Sequence, residues 1–194
     1  MDFEFYEEAL TLAEKLANVA RAVSLSYFRT ALPFDSKEDK SPVTLADREV
    51  ERVMREMIDA SFPEHAICGE EFGSEGTARY TWLLDPIDGT KPFLMGFPLF
   101  GSLIALLDQQ VPKIGIIETP ATGERWNGTS SGTSMNGRPA SVSARPGLPQ
   151  PRPTTSATTT IRNLLRSCAA LQCIDLEEVA THSDSWPMDA LTLS

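Results

Sequence analysis

The sequence lacks several features that mark specialised classes of protein. Its cysteines are Cys68, Cys168 and Cys173, an odd number without metal-finger spacing, which favours reduced structural thiols over a disulfide framework. No stretch reaches the roughly 18 consecutive apolar residues of a membrane span. The acidic start MDFEFYEEAL lacks the basic region and apolar run of a secretory signal. We therefore expect a cytoplasmic protein that does not bind a membrane.

Positive charge is also scarce in this chain. Lys and Arg together number 17 against 27 Asp and Glu, which gives a formal net charge of −10. This balance argues against a general nucleic-acid binder and is compatible with an acidic cluster that binds a cation. With 194 residues, of which 41% are hydrophobic, the chain is long enough to bury the core of one ordinary domain.

Two helices are predicted in the first third of the chain. Leu12, Leu16, Val19 and Val23 recur at helical spacing in a segment without Gly or Pro, which predicts one amphipathic helix over about residues 4–27. A second set of apolar residues with helical spacing is followed by a proline and predicts another helix. Its members are Val50, Val53, Met54, Met57 and Ile58, and the proline is Pro63.

From His65 the pattern changes to short apolar runs separated by turn residues. The runs AICG, TWLL, FGSLIALL, VPKIGIIE and ERWNG predict strands of one sheet. Helices that precede strands, without regular alternation of the two, favour a layered α+β fold with a mixed sheet. The Pro- and Thr-rich segment after Ala144 has no hydrophobic period. We therefore predict one domain over residues 1–146 and an atypical, poorly ordered tail over residues 147–194.

Two aspartates follow an apolar run in WLLDPIDGT, where a strand is expected to leave the sheet. Asp85, Asp88 and the backbone carbonyl of Ile87 offer the oxygen ligands that Mg²⁺ prefers. Gly89 and Thr90 then open a predicted helix, whose first N–H groups suit a phosphate. An Asx turn in which Asp88 caps this helix is the alternative. An EF-hand calcium loop is excluded because the acids do not occupy alternate positions.

Further acidic residues accompany this motif. Glu70 and Glu71 lie in CGEEFG, at the end of another predicted strand, and Asp47 lies in SPVTLADREVE near the start of the second helix. Two acidic strand ends on neighbouring strands would meet at one edge of the sheet and could share a cation. A solvated loop at Glu70 and a surface acid favoured by the helix dipole at Asp47 are the alternatives.

These motifs carry a resemblance to a known family. GEE, WLLDPIDGT and the upstream SPVTLAD resemble the inositol monophosphatase superfamily of Mg²⁺-dependent phosphomonoesterases, which have a layered sugar-phosphatase fold. DGTKPFLMGFPLFGSLIALL and GIIETPATGERWNGT resemble its bacterial histidinol-phosphatase branch more than its inositol branch. The resemblance covers residues 1 to about 146. It implies hydrolysis of a small phosphorylated metabolite, L-histidinol phosphate in histidine biosynthesis, with inositol 1-phosphate as the alternative.

The resemblance also implies a set of metal ligands. Glu70, Asp85 and the carbonyl oxygen of Ile87 would hold a first Mg²⁺, and Asp85 would bridge to a second ion bound also by Asp88. Ions held in this way clamp the attacking and leaving oxygens and neutralise the charge that develops on the phosphoryl group.

Catalytic and substrate-binding roles are implied in the same way. Thr90, hydrogen-bonded to Asp47 and with Glu70 alongside, would orient and activate a metal-bound water. Asp88 and the backbone amides of Gly89 and Thr90 would contact the phosphate. In relatives a loop closes over the site, and the polar segment with Lys37 and Lys40 corresponds to it. Family members are often dimers, so a homodimer is implied as well.

The tail departs from the family pattern. The family has a further metal-binding aspartate downstream in a W/Y-D-x-A-A segment, which SWPMDALTLS does not match, and we expect most of the second half-domain to be missing. A metal- or phosphate-binding relative with impaired catalysis is therefore another alternative. TTSATTTIRN can be encoded by codons that give YISHYYDPE when read with a two-base offset. This string resembles the family's downstream sequence, and we predict a change of reading frame between about residues 147 and 154.

Overall fold

A computed structural model describes residues 2–30 and 42–140. Both predicted helices and all five predicted strands are confirmed. The sequence patterns do not predict three further strands, β2, β7 and β8, which are short and carry few apolar residues. In chain order the elements are α1 (Asp2–Tyr27), α2 (Pro42–Ser61), β1 (Ala66–Gly69), β2 (Gly73–Glu75), β3 (Tyr80–Asp88), α3 (Thr90–Leu94), β4 (Gly101–Asp108), β5 (Val111–Thr119), β6 (Glu124–Thr129), β7 (Gly132–Met135) and β8 (Arg138–Pro139).

The strands form one mixed sheet, as the sequence predicts. Its order is β2-β1-β3-β4-β5-β6-β7-β8. β1 and β3 are parallel, whereas each of the other neighbouring pairs is antiparallel. The parallel pair places the C-terminal ends of β1 and β3 side by side, and these are the ends that carry the acidic motifs.

Helices α1 and α2 pack on one face of the sheet and on each other. Small residues of α1, including Ala9, Ala13 and Ala17, are fully buried and allow the helices to approach closely. Trp82, Leu106 and other alternate residues of the strands complete this core. Burial of each large apolar side chain contributes about 1.5–3 kcal/mol. Neither long helix, nor any other helix in the described ranges, is long and apolar enough to span a membrane.

A buried ion-pair network fastens α1 to the middle of the sheet. Glu118 of β5 is fully buried and accepts hydrogen bonds from Arg21 at 2.5 Å and Arg125 at 2.6 Å. Arg125 also donates to the side-chain oxygen of Asn18 at 2.8 Å. Because both carboxylate oxygens have an arginine partner, the desolvation of Glu118 is offset. The network fixes the helix layer relative to β5 and β6.

The hairpin between β4 and β5 turns through Gln109 and Gln110, which have φ values of 48° and 67°. Positive φ at both central residues is typical of a type I′ turn, a conformation that favours Asn and Gly over Gln. The segment with Lys37 and Lys40 and the predicted tail, residues 147–194, lie outside the described residues.

Candidate active site

The DPID motif forms a β-bulge within β3. Asp85 lies opposite Leu103 of β4 and Asp88 lies opposite Gly101, so β3 has one more residue than its partner over this interval. The sequence-based expectation that the strand leaves the sheet at Asp85 is therefore wrong, because pairing with β4 resumes at Asp88. Residues three apart in a regular strand face opposite sides of the sheet. The extra residue of a bulge shifts this alternation and redirects the side chains.

A hydrogen bond from β4 holds the bulge, and the residue after the bulge packs closely against the chain before β4. The hydroxyl of Ser102, which is 1% exposed, donates to the carbonyl oxygen of Pro86 at 2.6 Å. Gly89 has a φ of 85°, and a Cβ at this position would lie 2.8 Å from the carbonyl oxygen of Leu99. The conformation and the close approach both require glycine here. Gly89 thus allows the chain to turn sharply from β3 into α3.

Glu70 lies beside Asp85, as the two strand ends predicted. Its backbone N–H donates to the carbonyl oxygen of Leu84 at 3.1 Å, which continues the parallel pairing of β1 with β3 by one residue. Burial raises the pKa of Asp85, and the charge of Glu70 and a side-chain hydrogen bond with Glu70 raise it further. Asp85 is buried and Glu70 is exposed, so the pair lies where the protein interior meets the surface.

The side chain of Asp47 extends from α2 toward the pair formed by Asp85 and Glu70. Its carboxyl group is 4% exposed and accepts a hydrogen bond from the backbone N–H of Ile87. It also lies close enough to Glu70 and Glu71 for their charges to raise its pKa. The helix therefore brings its acid onto the bulge, and the alternative of a solvated surface acid at Asp47 is wrong.

Three acids of this cluster, Asp47, Asp85 and Asp88, have raised pKa values. Burial, followed by the charges of Glu71 and Glu70, raises the pKa of Asp47 to about 8. Burial, followed by the charges of Glu70 and Asp88, raises the pKa of Asp85 to about 9. Asp88 is itself exposed to solvent, and partial desolvation raises its pKa despite a hydrogen bond from the N–H of Gly89. The cluster thus carries more negative charge than its surroundings stabilise.

Thr90 makes a different hydrogen bond from the one that the resemblance implies. Its hydroxyl donates to the carbonyl oxygen of Ile87 at 3.3 Å instead of to Asp47. The expected bond between Thr90 and Asp47 is therefore not formed, because the bulge presents the Ile87 carbonyl to the first residue of α3. The N–H of Gly89 donates a hydrogen bond to Asp88. It would have to leave Asp88 before it could contact a phosphate.

The residues of the cluster suit a hard divalent cation. Asp85 Oδ1 is buried and has no hydrogen-bond partner, and a buried carboxylate oxygen without a donor is costly unless a cation or proton compensates it. Carboxylates and a backbone carbonyl are ligands that Mg²⁺ accepts. Within residues 2–30 and 42–140, no three His, Cys, Asp or Glu side chains already converge as a metal-binding group. The carboxyl groups are neighbours that would need to turn toward a common ion.

The structure adds two residues that the motif analysis does not single out. Glu51 of α2 contacts the backbone after Glu70, and Ser102 holds the bulge. Glu51 follows Asp47 by four residues on the same helix face, which is a signal available in the sequence. Ser102 gives no such signal, because its partner is a backbone carbonyl of another strand.

Comparison with known proteins places this arrangement in a family. The chain is 45% identical to a histidinol-phosphatase of Chlorobaculum parvum over 139 residues, which cover 70% of the chain and 53% of that protein. It is also 45% identical over 139 residues to a chloroplastic bifunctional phosphatase of Arabidopsis thaliana, covering 70% of the chain and 40% of that protein. The chain thus spans about half the length of these relatives, or less.

A solved inositol monophosphatase from Zymomonas mobilis is similar in structure. It superposes with a TM-score of 0.65 at 43% identity, covering 73% of the chain and 55% of that protein. The sequence model of the inositol monophosphatase family matches residues 6–175. The helix layer, the mixed sheet and the acidic motifs agree with this match, and the chain belongs to the inositol monophosphatase family.

Proposed function

We propose that this protein is a Mg²⁺-dependent phosphomonoesterase that hydrolyses L-histidinol phosphate. The observation that carries the proposal is the pair formed by Asp85 and Glu70. A buried carboxyl group lies against a second carboxyl group, and its Oδ1 atom has no hydrogen-bond partner. Such a pair is stable only when it binds a proton or a cation. Family membership supports a cation as the functional partner.

The ligands for the ion would be Glu70, Asp85, Asp88 and the Ile87 carbonyl. A bound divalent cation would supply positive charge for the phosphoryl oxygens and lower the pKa of a nearby water. Metal affinity then depends on pH, because ligands that hold protons must release them before they bind. The raised pKa of Asp85, about 9, means that Mg²⁺ competes with a proton at neutral pH.

Other residues of the cluster would orient the reacting groups. Asp47 is buried beside Glu70, and its pKa of about 8 allows it to take up and release a proton near neutral pH. Thr90 and the N–H of Gly89 lie at the exposed start of α3, where they can contact a phosphate group once they leave Ile87 and Asp88. The exposed side chains of Glu70, Asp88 and Thr90 leave the cluster open to solvent.

The substrate assignment rests on the sequence similarity to histidinol-phosphatases. Inositol 1-phosphate is the second candidate, supported by the similarity to the Zymomonas mobilis structure. A relative that binds Mg²⁺ or phosphate with impaired catalysis is the third, because SWPMDALTLS does not match the family's downstream metal-binding segment. The homodimer implied by the family resemblance stays a prediction.

The experiment measures phosphate release by the full chain from histidinol phosphate and from inositol 1-phosphate, with Mg²⁺ or EDTA. We expect hydrolysis of histidinol phosphate that requires Mg²⁺ and is lost in Asp85→Asn. The matched control is Asp108→Asn, which changes a carboxylate paired with Arg79 at the opposite end of β4. Equal hydrolysis in EDTA would refute the metal-dependent mechanism, and faster hydrolysis of inositol 1-phosphate would refute the substrate assignment. Stabilisation by Mg²⁺ without phosphate release would favour the third candidate.

A further inference from the structure

Glu51 is a fully buried carboxylate that has no role in the proposed chemistry. It lies on α2 one helical turn after Asp47, so both side chains project from the same face of the helix. Asp47 points to the bulge, whereas Glu51 points to the loop between β1 and β2. Glu70 belongs to this loop, which runs between Gly69 and Gly73.

Three donors surround the Glu51 carboxylate. Its Oε2 atom accepts the backbone N–H of Glu71 at 2.7 Å. Its Oε1 atom accepts the backbone N–H of Phe72 at 3.3 Å and the guanidinium of Arg55 at 2.8 Å. Two consecutive amides are therefore bound by one carboxylate. Burial of this charge is tolerable because each oxygen has a donor.

Arg55 extends the same contact along the loop. Its side chain is 10% exposed and donates to the carbonyl oxygen of Gly73 and to Glu75 at 3.2 Å. On the other side of Glu70, a Cβ at Gly69 would lie 2.0 Å from Glu51 Oε1. The backbone thus packs against the carboxylate without space for a side chain.

We infer that Glu51 is a positioning residue that holds Glu70 against Asp85. The N–H of Glu70 is anchored to Leu84 of β3, and the next two amides are anchored to Glu51. Anchors on both sides fix the backbone of Glu70, so that its carboxyl group is placed before an ion arrives. Ligands placed in advance bind a metal more tightly, because less ordering accompanies binding. The inference rests on the proposed function, since it requires that Glu70 is a metal ligand.

The test compares Glu51→Gln with wild type and with Asp108→Asn, all as full chains. Glutamine keeps one oxygen acceptor, but its NH₂ group cannot accept, so either the Glu71 amide, or the Phe72 amide together with Arg55, loses its acceptor. One measurement is hydrogen exchange at the Glu71 and Phe72 amides. The other is the Mg²⁺ concentration that gives half of the maximal rise in unfolding temperature. The Mg²⁺ midpoint reports metal affinity. The unfolding temperature without metal reports stability, and any structural change can lower it.

We expect Glu51→Gln to speed exchange at the amide that loses its acceptor and to raise the Mg²⁺ midpoint about tenfold, the lower end of the effect of outer-shell partners on metal affinity. Asp108→Asn should lower the unfolding temperature and leave the midpoint unchanged. An unchanged midpoint in Glu51→Gln, beside a clear wild-type response to Mg²⁺, would overturn the inference alone. A wild-type chain without any response to Mg²⁺ would overturn the proposed function and the inference with it.

A second variant covers the case in which Glu51→Gln does not fold. Arg55→Lys keeps a positive charge beside Glu51 but cannot reach both Gly73 and Glu75. We expect it to raise the Mg²⁺ midpoint by a smaller factor, about threefold, the size of change that loss of one hydrogen bond produces, because the charge beside Glu51 is kept. A midpoint equal to that of wild type in this folded variant would also overturn the inference.

Discussion

Replacement of Asp85 by asparagine should stabilise the protein when no metal is bound. Burial and neighbouring charges raise the pKa of Asp85 from 3.8 to about 9. The native state therefore keeps a proton that the unfolded chain releases, and the stability contributed by this group falls as the pH rises from about 4 to about 9. Asparagine is neutral at every pH, and its NH₂ group can donate to Glu70 as a protonated carboxyl group does.

The size of the effect follows from the shift in pKa. At pH 7 the gap from the ordinary value of 3.8 is about 3 units, and each unit corresponds to about 1.36 kcal/mol. The gain from Asp85→Asn in EDTA is thus at most about 4 kcal/mol. It should shrink toward zero near pH 4. With Mg²⁺ at about 100 times its Kd, the wild type should gain about 2.7 kcal/mol and the variant nothing.

Urea unfolding at pH 4, 7 and 9, in EDTA and in Mg²⁺, measures these free energies. Asp108→Asn is the control, because the contribution of Asp108 to the free energy of unfolding should change with pH in the opposite direction to that of Asp85. Hydrogen bonding to Arg79 lowers the pKa of Asp108, so its contribution is present at neutral pH and is lost as the pH falls. The reasoning is refuted if Asp85→Asn is less stable than wild type at pH 7 in EDTA. Equal stabilisation of both proteins by Mg²⁺ would refute Asp85 as a ligand.

Other perturbations test the bulge, the hairpin and the tail. Ser102→Ala removes the donor to the buried Pro86 carbonyl and should lower the free energy of unfolding by about 1–3 kcal/mol; an unchanged value in urea would contradict a role in holding the bulge. Replacing Gln109 and Gln110, with φ of 48° and 67°, by Asn and Gly should raise the unfolding temperature, because these residues suit a type I′ turn; a lower temperature would show that the glutamine side chains matter more than backbone strain. Sequencing the gene around the codons for residues 147–154 should reveal one insertion or deletion whose correction gives a phosphatase-like continuation. If none does, the frame hypothesis is wrong.

The sequence alone predicted most elements of this fold and most of the candidate cluster. Helical spacing located α1 and α2, and short apolar runs located five strands, because burial of one face imposes a period on the sequence. The acidic motifs at Glu70, Asp85 and Asp88 were visible as charged residues directly after apolar runs. The same motifs carried the family resemblance, which the family match over residues 6–175 confirms.

Only the tertiary structure decided how these pieces meet. The bulge that returns β3 to the sheet at Asp88 depends on the register with β4, and the Thr90 hydrogen bond to Ile87 depends on the bulge. Glu51 and the amide of Glu71 are 20 residues apart, and no local pattern relates them. Sequence periodicity reports which face of an element is buried, whereas these contacts depend on how separate elements pack against one another. The elements with a large buried face were therefore predictable from the sequence, whereas the short strands β2, β7 and β8 and the contacts that hold Glu70 were not.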